Sequence, residues 1–154
     1  MSRVLFLCGP SGSGKTTYAR GLEQRGMVRL SFDVEAWHRG VSASAAPQHE
    51  LQEVDRALRA RLLALVGAGR DVVVDLSFST RAVREDYRRL LLPVGILPET
   101  VFFATDRETV LARMRARRGE HADSVVLTPE AAARHFDDFE RPTPEEGSLT
   151  IVEG

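Results

Sequence analysis

Val4-Leu5-Phe6-Leu7-Cys8-Gly9-Pro10-Ser11-Gly12-Ser13-Gly14-Lys15-Thr16-Thr17 decides the architecture of this chain. Its first five residues form an unbroken apolar run, as expected of a strand buried on both faces. Gly9 to Thr16 then fits G-x-x-x-x-G-K-[ST] without a mismatch. Thr16-Thr17-Tyr18-Ala19-Arg20-Gly21-Leu22 follows as a helix start. Strand, glycine loop and helix in that order are the context that this phosphate-binding pattern requires. Backbone N–H groups of such a loop and of the helix N-terminus point at phosphate oxygens. Gly9, Pro10, Ser11, Gly12, Ser13, Gly14, Lys15, Thr16 and Thr17 are therefore the expected nucleotide cradle. Lys15 reaches the β- and γ-phosphates, and the Thr16 hydroxyl ligates Mg²⁺.

Lys15 is the only lysine; the other twenty of the 21 basic Lys and Arg positions are arginine. An arginine-rich composition accounts for the bias but not for the one exception. A phosphate cradle suits a compact ammonium on a flexible stem better than a planar fork.

At 154 residues the chain is expected to form one domain, residues 1–154, with an adequate core. Hydrophobic content of 43% and charged content of 28% are ordinary for a globular protein. A net charge of −1 offers no bulk electrostatic footprint for nucleic acid or an anionic membrane. No apolar run approaches the roughly 20 residues of a membrane span. The start of the chain shows no signal-peptide pattern, and the single cysteine, Cys8, forms no internal disulfide. Cys8 is expected to be a small buried hydrophobe, and the expected compartment is the cytoplasm.

Strand and helix signals alternate, which predicts an α/β sheet. Strands are expected near 3–8, 27–32, 71–75, 100–104 and 148–152. Helices are expected near 15–25, 48–66, 80–92, 106–118 and 129–139. In the long helix Leu51, Val54, Leu58, Leu62 and Leu65 recur at core spacing. Thr105 and Glu108 form a capping-box pattern for helix 106–118, and Thr128 with Pro129 marks another start. Gly40 to Pro47 is small, polar and expected to be mobile.

Ligands of open parallel sheets sit beyond the carboxyl ends of the strands. The residues there are Gly9, Asp33, Asp75 and Thr105-Asp106. Asp75 closes Val72-Val73-Val74, a pattern that suits a Mg²⁺-holding carboxylate, although Asp-Leu-Ser-Phe-Ser is also turn-forming. Asp33 is placed to orient an attacking hydroxyl and take its proton. It can also cap a helix at Val34-Glu35-Ala36-Trp37. Trp37 stacks on an acceptor ring in one reading and sits in the core in the other. Arg113-Met114-Arg115-Ala116-Arg117-Arg118 closes helix 106–118 ahead of a loop, which suggests a lid over about 115–130. Arg113 and Arg117 share a helical face and are expected on the phosphates, with Arg117 stabilising charge in the transition state. Cations at a helix C-terminus also complement its dipole. The four histidines show no metal-ligand spacing, and His121 in the lid loop is the one within expected reach of a ligand. A guanine signature of the Asn-Lys-x-Asp type is impossible with Lys15 the only lysine, so ATP is the expected donor.

These features resemble the small P-loop kinases of the polynucleotide-kinase and chloramphenicol-phosphotransferase type, often described only as AAA-like ATP-binding proteins. The resemblance rests on Gly9 to Thr17, Ser31-Phe32-Asp33, Val72 to Asp75, the Arg113/Arg117 helix, Ala122-Asp123 and Phe139-Glu140-Arg141-Pro142. It implies a three-layer α/β sandwich around a five-stranded parallel sheet of order 2-3-1-4-5. It also implies an aspartate base after strand two, a lid arginine on the phosphates, and adenine near Glu140 to Pro142. One departure concerns the acceptor: where polynucleotide kinases place an arginine one turn after the base, this chain has Ala36, with Arg39 three residues on. That favours a small-molecule hydroxyl, such as a metabolite, nucleoside or antibiotic, over a 5′-hydroxyl polynucleotide end. The alternative from another class is a nucleotide-binding ATPase switch acting through a protein partner. The oligomeric state stays open.

Overall fold

A computed structural model describes residues 2–153 of the chain. Five strands, β1 (Val4–Cys8), β2 (Val28–Ser31), β3 (Val72–Asp75), β4 (Glu99–Ala104) and β5 (Leu149–Glu153), pair in the order β2-β3-β1-β4-β5. Every pairing is parallel, with Leu5 opposite Val73 and Leu7 opposite Val101. The helices are α1 (Lys15–Gln24), α2 (Phe32–His38), α3 (Gln48–Gly67), α4 (Arg81–Leu91), α5 (Arg107–Ala116) and α6 (Pro129–Asp137). The expected α/β class and strand order are thus the observed ones.

Side chains alternate across a strand, and here both faces are covered. Val4, Phe6, Cys8, Val72 and Val74 pack with Val54, Leu58 and Leu62 of α3 and Tyr87 and Leu91 of α4. Leu5, Leu7, Val73, Val101 and Phe103 pack with Ala19 and Leu22 of α1. That double cover explains why β1 and β3 read as continuous apolar runs. Val110 and Met114 of α5 meet Ala132 of α6 in a smaller third cluster. Among the described residues no helix is long and apolar enough to cross a membrane.

Several local expectations are corrected. Ser31, not Asp33, caps α2: its hydroxyl accepts from Val34 N at 3.3 Å, which leaves Asp33 inside the first turn. Asp106 caps α5, accepting from Thr109 N at 2.9 Å. Thr105 instead donates its hydroxyl hydrogen to Ser13 O at 2.7 Å, tying the end of β4 to the glycine loop. The helix α5 stops at Ala116, and Arg117 adopts an extended ψ of 143°. Arg117 therefore continues the chain into the following loop, off the helical face it was expected to share with Arg113. Leu51 is only half-buried and lines a cleft, while Val54, Leu58 and Leu62 carry the core face of α3. Trp37 is 50% exposed and belongs to no core cluster. The capping expectation at Thr128 agrees with the structure, its hydroxyl accepting from Ala131 N at 3.1 Å.

Candidate active site

The carboxyl ends of β1, β2 and β3 open into a cleft of about 960 Å³. It is lined by the glycine loop, by Asp33 and Asp75 after β2 and at the end of β3, and by Arg113 and Arg117 from α5 and the residue beyond it. The sheet order dictates this: β3 and β1 are neighbours, β2 flanks them, and parallel strands deliver their following residues to one edge.

The loop conformation depends on glycine at two positions. Gly12 and Gly14 have φ of 89° and 105°, a region that L-residues rarely adopt. A Cβ at Gly12 would also lie 3.1 Å from Val110 O and 3.3 Å from the Met114 side chain, so α5 closes against the loop. Arg113 Nη1 donates to Gly12 O at 3.1 Å across that contact. The Ser13 hydroxyl is buried without a hydrogen-bond partner.

Lys15 folds back into the loop. Its Nζ donates to Gly9 O at 2.7 Å and approaches Ser77 Oγ at 3.5 Å. Burial pulls the Lys15 pKa below its ordinary value, and Asp75 and Asp33 oppose that pull. Asp33 has the complementary environment. Burial lifts its pKa above the ordinary carboxylate value, Lys15 lowers it, Asp75 raises it and Arg117 lowers it. Lys15, Asp33, Asp75 and Arg117 line the same cleft, and Asp33 feels the charge of the other three. Arg117 is anchored by Nη1 to Val125 O at 3.3 Å. Burial lowers its pKa, opposed by Asp33 and Asp123.

Asp75 is not free. Its Oδ2 accepts from Arg29 Nη2 at 2.5 Å and Nε at 3.0 Å. The same guanidinium donates to Asp123 Oδ1 at 2.8 Å, and Arg20 reaches Asp123 Oδ2 at 2.9 Å. The Arg29, Asp75 and Asp123 side chains are 7%, 6% and 9% exposed. Arg29 was not singled out from the sequence; its only local sign is a charged residue between the apolar Val28 and Leu30 of β2.

Three further groups escaped sequence reasoning. Ser77 holds the Lys15 ammonium from the loop after β3. Next to it, Phe78 is the only non-glycine residue with positive φ among those described, at 53°. Its ring stacks on Phe6 at 4.6 Å, and its carbonyl accepts from Arg84 Nη1 at 2.7 Å. Core packing and a buried cation thus hold this unfavourable backbone in place. His135 of α6 lines the cleft with Nε2 buried and unpartnered. Burial, and then the charge of Lys15, push its pKa below the ordinary histidine value. His121 and Trp37 instead line a second pocket of about 520 Å³, which shares Asp33, Ala43, Ser44 and Val125 with the first. Cys8 is buried, and that burial pushes its thiol up to about 11, consistent with an unreactive packing residue. Among the described residues no three His, Cys, Asp or Glu side chains group as a metal cluster.

No curated protein matches the chain significantly. Solved structures do. A sugar kinase from Janibacter sp. HTCC2649 superposes with a TM-score of 0.69 at 21% identity, over 99% of this chain and 86% of that one. The APS kinase CysC of Mycobacterium tuberculosis, in complex with AMPPNP and APS, gives 0.70 at 21% identity over 99% and 88%. A chain of the Pnkp1/Rnl/Hen1 RNA repair complex gives 0.76 at 20% identity, over 89% of this chain and 43% of that one. At these identities the likeness concerns the fold, which is P-loop kinase-like. Residues 4–142 match the family model described as AAA domain, and the chain belongs to that AAA domain family.

Proposed function

We propose that the protein is an ATP-dependent phosphotransferase that moves the γ-phosphoryl group to a hydroxyl of a small molecule. The observation that carries this reading is the convergence of Lys15, Asp33 and Arg117 on one cleft. The cradle from Gly9 to Thr17 binds the triphosphate through backbone N–H groups, as the glycine geometry permits. Lys15 leaves Gly9 O for the β- and γ-phosphate oxygens. Arg113 and Arg117 add positive charge, and Arg117 lies on the Asp33 side, where charge develops during transfer. Asp33 accepts the hydroxyl proton as the acceptor oxygen bonds to phosphorus and the bond to the bridging oxygen of ADP breaks.

The Thr16 hydroxyl and the second oxygen of Asp75 are hard donors of the kind Mg²⁺ takes, and both lie in the cleft. Bound there, Mg²⁺ supplies charge neutralisation between the phosphates. The Arg29 ion pair occupies Asp75 Oδ2 and leaves Oδ1 without a hydrogen bond from the described residues. The segment from about 115 to 130 acts as a lid that carries Arg117 and is fastened through Asp123 to Arg29. Residues 1–154 work as a single catalytic domain in this reading.

An ATP-consumption screen over alcohols, nucleosides and hydroxylated antibiotics tests it. Slow hydrolysis should rise steeply with the right alcohol. Hydrolysis that responds only to a protein partner would identify an ATPase switch instead.

A further inference from the structure

The cleft is strongly asymmetric. Lys15, Arg113 and Arg117 line the loop side, while no lysine or arginine lines the side formed by α3. There the lining comes from Gln48, Leu51, Gln52 and Asp55, and Phe32 and Val83 line the same cleft. Positions 48, 51, 52 and 55 lie three, four and seven residues apart and so share one helical face. This face adjoins the Val54, Leu58 and Leu62 face that α3 gives to the core.

Of the arginines near that side in sequence, Arg56 is exposed and does not line the cleft, and three others are engaged. Arg39 Nε donates to Glu35 at 2.8 Å and Arg61 Nη1 to the same carboxylate at 3.4 Å. Arg59 Nε donates to Asp55 Oδ2 at 2.7 Å, with its guanidinium 4.6 Å over the Tyr87 ring. None of the three lines the cleft. An anionic acceptor group seated against this face would give up part of its hydration without gaining a cation, which is costly. An ammonium group fares no better. Asp55 accepts from Arg59 on Oδ2 and from Tyr87 Oη on Oδ1 at 2.5 Å, so its charge is already offset.

What remains is hydrogen-bonding capacity without net charge. The Gln48 and Gln52 side chains make no hydrogen bond within the described chain, and each amide offers two donors and an acceptor. Asp55 keeps further acceptor capacity. Adjacent hydroxyls, each both donor and acceptor, match this set. Leu51, Phe32 and Val83 suit the C–H faces of a carbon skeleton carrying them.

We propose that the acceptor is an uncharged polyhydroxylated small molecule, bound along the Gln48–Gln52–Asp55 face of α3 with one hydroxyl presented to Asp33. This rests on the phosphotransferase reading and specifies its substrate class. The reaction forms one oxygen–phosphorus bond on that hydroxyl, breaks the bond to ADP and leaves the proton on Asp33.

The test is a set of neutral sugars, polyols and nucleosides, each beside its carboxylate, phosphate and amine counterpart, with a 5′-hydroxyl oligonucleotide included. ATP consumption and phosphorylated product are read for the whole chain. The expected result is that at least one neutral member raises turnover tenfold or more over water. Its charged counterparts should fall at least tenfold in kcat/KM. Gln52→Ala, on an exposed helical position, should raise the acceptor KM several-fold while ATP affinity by equilibrium binding stays within twofold. Gln52→Arg should shift preference toward the anionic counterpart. Preference of the parent protein for a charged acceptor or the oligonucleotide, dependent on Asp33, overturns this inference and leaves the phosphotransferase reading intact. Absence of any response to the neutral set also overturns it; if a protein partner then stimulates hydrolysis, the phosphotransferase reading falls as well.

Discussion

Arg29 Nη2 lies 2.5 Å from Asp75 Oδ2, an ion pair within the sheet layer whose side chains are 7% and 6% exposed. It joins β2 to the end of β3, and through Asp123 it joins both to the segment that follows α5. Burial would raise the Asp123 pKa, yet hydrogen bonds from Arg29 and Arg20 hold it below the ordinary carboxylate value. The same guanidinium is therefore both a sheet brace and a fastening for the residues around Arg117.

Removing one partner of a buried pair leaves the other charge uncompensated, which costs about 3–5 kcal/mol. Arg29→Leu should lose stability in that range by urea denaturation, since Asp75 loses its ion-pair partner and Asp123 keeps only the exposed Arg20. Arg29→Leu combined with Asp75→Asn and Asp123→Asn should recover most of it. A single variant as stable as the parent would show that the network contributes nothing.

Lys15→Met should weaken ATP binding roughly ten- to a hundredfold, the span of one or more hydrogen bonds to a charged group. The chain carries one side-chain amine. A lysine-directed acylating reagent should therefore modify a single internal site, and ATP should protect it. Lack of protection, read by intact mass, would remove Lys15 from the nucleotide site.

Much of the fold was legible because its signals are local. The apolar runs of β1 and β3, the glycine pattern between Gly9 and Lys15 and the Thr128 cap all lie within a few residues of what they specify. Asp33, Asp75 and Arg117 were findable because strand ends of a parallel sheet converge. The remainder depends on partners far apart in sequence. Arg29 meets Asp75 across 46 positions and Asp123 across 94. Phe78 tolerates its positive φ only through Phe6 and Arg84, 72 positions away in the first case. Capping choices were close competitions: Ser31 and Asp106 are each one or two positions from the residues whose side chains looked equally able to cap.

The pair Arg84–Glu146 fixes the approach to β5. Nε meets Oε1 at 2.8 Å and Nη2 meets Oε2 at 3.1 Å, with the side chains 0% and 2% exposed. Burial would raise the Glu146 pKa, but hydrogen bonds from Arg84 and the Thr143 N–H bring it from 4.5 down to about 2. A depressed carboxylate contributes stability that is present above its unfolded pKa and lost as pH falls through the folded one. The loss should therefore run from about pH 4.5 to about pH 2. Glu146→Leu with Arg84→Met, which removes both charges, should flatten the decline of Tm across that window. An unchanged decline would assign acid unfolding to other carboxylates.

Asp33 provides the sharpest test of the site, because two of its neighbours act in opposite directions. As a base it must be ionised, so kcat/KM should fall as pH drops through its raised pKa, placing the acid limb above the ordinary carboxylate value of 3.8. Asp33→Asn should retain ATP binding and lose transfer by roughly 10²–10⁴-fold. Arg117 stabilises the ionised form, so Arg117→Ala should move the acid limb to higher pH. Asp75 opposes ionisation, so Asp75→Asn should move the limb to lower pH, whatever it does to the plateau rate. Opposite displacements by these two variants, measured under the same acceptor, identify the titrating group as the one lying between them. A limb that stays in place in both would assign the proton transfer to a residue other than Asp33.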